Sequence, residues 1–151
     1  MVYTTMNRIL TLVIMLFVSS LSNATEYSSI HGETIKIDFN APTKPIVLIV
    51  WASWCGYCMA EIPHLKKEFS EHGNVQWLGL NVNKNPQDGA EIELKKSLPW
   101  RSISDPDLII GDQFNVRGTP TLLVLNTQGQ VVHKGRRVDA DFKATLDSFA
   151  P

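Results

Sequence analysis

The chain has 151 residues, 44% of them hydrophobic, with 14 basic and 15 acidic side chains and a formal net charge of −1. That balance gives no electrostatic case for nucleic acid or an anionic membrane surface as partner. The length suits one ordinary domain with a leader, large enough to build a core without metals or structural disulfides.

The first two dozen residues read as a targeting segment. Arg8 supplies a positive start, Ile9 to Val18 (ILTLVIMLFV) an apolar run, and Ser22-Asn23-Ala24 a small-residue cleavage site. The run is short of the roughly 20 residues that a spanning helix needs. Residues 1–24 are therefore expected to be a signal peptide, with an uncleaved N-terminal anchor as the alternative and Met6 as a second possible start. Residues 25–151 would then form a single domain. Taking Arg8 from the 14 basic residues leaves 13 against 15 acidic ones, a mature net charge of −2.

Thr34 to Phe39 alternates Ile35, Ile37 and Phe39 with polar residues, the period-2 pattern of a half-buried strand. After a turn over Pro42 to Pro45, Ile46 to Trp51 is continuously apolar and rich in β-branched residues, as in a central strand covered on both faces. From Cys55 the pattern turns helical, with Ile62, Leu65 and Phe69 on one stripe and Gly73 as the stop; Pro63 is expected to kink it. Val75 to Val82 reads as a buried strand, Asn83 to Gly89 as a loop, and Ala90 to Leu98 as a helix ended by Pro99. Pro106 to Phe114 is expected to be a short helix capped by Asp105. Thr121 to Asn126 and Gln130 to Lys134 flank Thr127-Gln128-Gly129 as a hairpin, and Asp139 to Phe149 closes the chain as a helix. Early strands joined through helices and a late hairpin predict an α/β domain with a mixed central sheet and helices on both faces.

Cys55 and Cys58 are the only cysteines, and they lie between a buried strand and a helix in Trp54-Cys55-Gly56-Tyr57-Cys58. Thiols one helical turn apart can close into a disulfide, so the pair takes up or gives out two electrons without a cofactor. A purely structural bond is the plain alternative in an exported chain. A bridge over two intervening residues, however, closes a tiny loop and removes little unfolded-state entropy. Cys55 at the first helical turn would face unpaired N–H groups and the positive end of the helix dipole, which favour thiolate.

With Met59-Ala60-Glu61-Ile62-Pro63 following the cysteines and Gly118-Thr119-Pro120-Thr121 further on, residues 30 to 149 resemble the thioredoxin superfamily. The likeness is closest to the exported TlpA/ResA-like, cytochrome-c-maturation type of thiol-disulfide oxidoreductase. That resemblance implies a thioredoxin fold with a small helical insert at residues 84–100. It implies Cys55 as exposed nucleophile, Cys58 as buried resolving thiol, Pro120 as a cis-proline facing the disulfide with Thr119 before it, and Glu61 as the acid that tunes the thiols. Ile49 departs from thioredoxin, which carries a buried Asp at that place, so any proton acceptor must come from elsewhere. Trp54, Tyr57 and Thr119 would form the substrate surface around Cys55, with Thr119 backbone groups left free to pair with an extended segment.

The implied activity is reduction of protein disulfides, apocytochrome c included, by an exported, periplasmic or extracytoplasmic monomer. Its donor would be a membrane thiol-disulfide carrier, because no nucleotide fingerprint is present, and no cofactor beyond the redox-active disulfide is expected. Gly56-Tyr57 lacks the histidine that would favour thiolate and a more oxidising pair. An oxidase or isomerase on the same fold is the first alternative. A metallochaperone or thiol-binding module is the second, although His31, His64, His72 and His133 are scattered and two cysteines fall short of a tetrahedral set.

Overall fold

The computed structural model describes residues 24–150, and all of the expected N-terminal targeting segment but Ala24 lies outside them. In chain order the elements are β1 (Thr25–Ser28), β2 (Thr34–Ile37), β3 (Ile46–Trp51), α1 (Gly56–Glu71), β4 (Gln76–Asn81), α2 (Pro86–Lys95), β5 (Arg101–Ser104), α3 (Ile109–Gln113), β6 (Thr121–Leu125), β7 (Val131–Gly135) and α4 (Ala140–Asp147). Five strands form a mixed sheet in the order β5-β4-β3-β6-β7, and β1 and β2 pair as a separate hairpin. Strands β3, β4 and β5 run parallel, whereas β6 and β7 are antiparallel additions.

All six residues of β3 are buried, and successive side chains point to opposite faces. Val47, Ile49 and Trp51 pack with Leu65 of α1, Trp77, Trp100 and Phe142 and Leu146 of α4. Ile46, Leu48 and Val50 pack on the other side with Ile35, Ile37, Phe39, Ile110 and Val116. Helices therefore cover both faces, with the β1–β2 hairpin completing the second one. Trp77 stacks on Trp100, their ring centroids 6.1 Å apart, and Phe69 and Phe142 meet Trp77 edge-on.

Register gathers the functional ends. Trp51 pairs with Asn81, Asn81 with Ser104, Val50 with Thr121, and Leu122 with Gly135. The segments following β3, β4, β5 and β7 and the one preceding β6 thus emerge at one end of the sheet. In open α/β sheets this carboxyl end of the parallel strands is where sites form.

Several boundaries differ from the sequence reading. The insert helix begins at Pro86, four residues early, because Asn85 accepts the Gln87 N–H and Pro86 takes the first helical turn. It ends at Lys95, with Ser97 at φ 49°, so Pro99 is not its stop. The third helix is only Ile109–Gln113. Its N-cap is Leu108, not Asp105, and Pro106 lies outside; Asp105, three residues before the cap, still accepts the N–H groups of Ile110 and Gly111 in the first turn. Strands β1 and β5 were absent from the pattern, since four residues carry too little alternation to register. Helix α1 runs unbroken through Pro63.

Candidate active site

Cys55 is the N-cap of α1, in extended conformation, and is joined to Cys58 by a disulfide with Cα atoms 5.2 Å apart. Its Sγ accepts the Cys58 N–H at 3.1 Å. A backbone donor aimed at that sulfur, at the positive end of a 16-residue helix, stabilises negative charge there when the bridge opens. Both residues are covered in the bridged state, Cys55 at 5% and Cys58 at 4% exposure. The expected contrast of exposed and buried cysteine is therefore not visible here, because closing the bridge leaves neither residue much surface.

Trp54 (68% exposed) and Tyr57 (80%) flank the bridge as large open aromatics, whereas Trp51 and Trp77 are core. Thr119–Pro120 is a cis peptide. Because Thr121 pairs with Val50, Pro120 arrives beside the end of β3. The Thr119 carbonyl is not free as expected: Arg136 donates to it from Nη2 at 2.9 Å. Gly135 at the end of β7 pairs with Leu122, and this register delivers Arg136 to the loop.

Glu61 and Cys58 wall a common apolar cavity with Pro120, Ile49 and Trp100. At about 10 Å³, it is at the lower limit for a single water. Ile49 lines it where thioredoxin would place an acid, so Glu61 is the carboxylate in that wall. Glu61 Oε2 accepts the Val138 N–H at 2.9 Å, which fixes the side chain against the segment before α4.

Sequence reasoning missed the support of the loop that precedes Cys55. Asn83, 2% exposed, accepts the Ser53 N–H at 2.9 Å and donates to Ser53 Oγ at 2.7 Å. Asn81, fully buried, donates to Asn83 Oδ1 and accepts the Asn83 N–H. Gly89 of α2 permits this: a Cβ there would sit 2.6 to 2.7 Å from the Asn81 amide. The signal was present, as an asparagine closing a buried strand, with a second one two residues on, has to be bonded to something. Among the described residues no three His, Cys, Asp or Glu side chains converge as metal ligands.

The fold and the sequence both have known counterparts. ResA, a thiol-disulfide oxidoreductase of Halalkalibacterium halodurans, is 26% identical over 127 residues, covering 81% of this chain and 71% of that one. The thiol:disulfide interchange protein DsbE of Pseudomonas aeruginosa is 33% identical over 111 residues, 72% of this chain but only 59% of that protein's length. A secreted Mycobacterium tuberculosis disulfide oxidoreductase, described as homologous to Escherichia coli DsbE, superposes with a TM-score of 0.67 at 19% identity, covering 83% of this chain and 95% of that one. The Redoxin family model matches residues 20–148. With a disulfide seated at the helix N-terminus where such exchange occurs, the chain belongs to the Redoxin family and is a thiol-disulfide oxidoreductase of the ResA and DsbE type.

Proposed function

We propose that this protein is exported and, as the dithiol, reduces disulfides of other exported proteins, with apocytochrome c before haem attachment among its substrates. One observation carries the reading: Cys58, Glu61 and Pro120 wall the same small cavity behind a disulfide that caps a helix. Export is supported by the Arg8, Ile9–Val18 and Ser22-Asn23-Ala24 pattern and by the secreted structural counterpart. Among the described residues no helix is long and apolar enough to cross a membrane.

In this reading the Cys55 thiolate attacks a substrate disulfide, forming a mixed disulfide and expelling the first substrate thiolate. Glu61, directly or through at most one water, takes the proton of the Cys58 thiol. The Cys58 thiolate then attacks Cys55 Sγ and expels the second substrate thiolate. Two electrons have passed to the substrate, and the Cys55–Cys58 bridge seen here is the oxidised product. A membrane thiol-disulfide carrier restores the dithiol.

The direction is tested by equilibrating the Cys55–Cys58 couple with glutathione. A potential closer to the about −270 mV of thioredoxin is expected; one near the about −120 mV of DsbA would make the protein an oxidant instead. Cys58→Ala should accumulate mixed disulfides with exported proteins, and an empty trap would remove protein substrates from the proposal.

A further inference from the structure

In the segment Gly135-Arg136-Arg137-Val138, Val138 holds Glu61 and Arg136 holds the Thr119 carbonyl, but neither guanidinium takes part in a step of the exchange above, and both stand on the redox face. Arg136 and Arg137 line a second cavity, of about 300 Å³, with Tyr57, Glu61 and Pro120. It adjoins the small cavity behind the disulfide through two shared walls, Glu61 and Pro120. Tyr57, which lies between the two cysteines, forms its outer lip. Arg136 also faces a neighbouring hollow with Arg117 and Lys134.

The charges on this rim are not internally neutralised. Among the described residues neither Arg136, Arg137 nor Lys134 has a carboxylate within salt-bridge distance; Arg117 reaches only Asp112, at 3.9 Å. Lys134 is held by the carbonyls of Phe114 and Asn115. Arg136 is fixed by its bond to the Thr119 carbonyl, which uses one of its five donors and leaves the others available. Glu61, the one acid in the cavity wall, has one oxygen committed to the Val138 N–H. Two exposed guanidinium groups against one partly engaged carboxylate make a positive hollow, and a planar fork of donors suits a carboxylate.

Building on the exchange reaction proposed above, we infer that Arg136 and Arg137 select protein partners carrying an acidic side chain close to the reacting cysteine. When a partner sulfur meets Cys55, its chain lies along Thr119–Pro120, and a neighbouring Asp or Glu enters the hollow between Tyr57 and the two arginines. The rim thereby orders partners by charge without touching the sulfur chemistry.

The test uses three disulfide peptides of one sequence, differing only in Glu, Gln or Lys two residues from the cysteine. The reduced wild-type protein should turn over the Glu peptide about fivefold faster in kcat/KM than the Lys peptide, with Gln between them. Raising the salt to about 1 M, where charges more than about 3 Å apart are screened, should collapse the difference. The R136E/R137E variant should invert the order. Equal turnover of all three peptides by wild type, or an order unaffected by salt, overturns the rim while leaving exchange intact. If none of the three is reduced, the exchange reading fails and takes this one with it.

Discussion

Helix α1 is tied to the C-terminal segment at both of its ends, and the two ties differ in kind. At the redox end there is one hydrogen bond among the described residues, Glu61 Oε2 accepting the Val138 N–H, and Glu61 Oε1 has no hydrogen-bond partner among them. At the far end a charged chain closes: His72 bonds Asp147 at 3.1 Å and the Glu68 carbonyl at 2.9 Å, and the buried Glu68 carboxylate meets Lys143 at 3.4 Å. Glu68 is 3% exposed and His72 7%. The same helix thus ends in a charged cluster away from the disulfide and, in the exchange reaction proposed above, keeps one Glu61 oxygen in reserve where a proton is to move. Anchoring at the far end relieves Glu61 of holding α4 in place.

The sharpest way to break that contrast is to remove Glu68. Glu68→Ala removes the buried carboxylate that meets Lys143 and lies near His72, which keeps its bonds to Asp147 and the Glu68 carbonyl; it should cost about 1.5–3 kcal/mol in urea unfolding, with disulfide turnover per folded molecule unchanged. Equal loss of turnover would mean that the two ends are not separable. Next is Glu61→Gln. The amide oxygen can still accept from Val138, so stability should shift by less than about 1 kcal/mol, whereas resolution of the mixed disulfide should slow by about 10²-fold near neutral pH. Rapid-mixing kinetics would read this step directly, and an unaltered rate would return Glu61 to a structural role. Asn83→Ala has a smaller, double effect. It frees the Ser53 N–H and hydroxyl, costing about 1–2 kcal/mol, and loosens the loop that presents Cys55, with kcat/KM falling about tenfold.

These residues were not equally legible in the sequence. The redox pair was readable because its chemistry is local: Cys55 and Cys58 lie one turn apart at the start of a helix, and the apolar run Ile46 to Trp51 announces the strand that feeds them, whereas Glu61 was singled out by resemblance, since a lone helical Glu otherwise reads as a solvated charge. Pro120 was legible only by resemblance, since its arrival beside the disulfide depends on the pairing of Val50 with Thr121 across 71 positions of chain. The bonds of Asn83 to Ser53, Arg136 to Thr119 and His72 to Asp147 were out of reach for the same reason: they join positions 30, 17 and 75 apart, brought together by register and helix packing. The start of α2 is a different failure. Asn85 and Pro86 carry the cap and first-turn signals, but the following Asp88-Gly89 masks them as a turn. Gly89 is there because Asn81 lies against it, a constraint that only the folded chain imposes.

The smallest effect is a pH dependence confined to the far end. Burial disfavours the His72 imidazolium, but hydrogen bonds to Asp147 and to the Glu68 carbonyl, with the charges of Glu68 and Asp147, outweigh it and raise the pKa above the ordinary value of about 6.5. A raised folded-state value means that protonation favours folding. The contribution is complete below about pH 6.5 and is lost as pH rises through the folded value. Asp147 is largely exposed, so its share is screened by water and salt, which keeps the effect below the three preceding ones. Urea midpoints compared on either side of neutrality should fall with rising pH in the wild type and lose that component in His72→Gln. The pH profile of mixed-disulfide resolution should be the same in both proteins, because Glu61 lies at the other end of the helix. A His72→Gln variant that retains the wild-type stability slope would place the titrating group elsewhere. One that shifts the resolution profile would show that the two ends of α1 communicate.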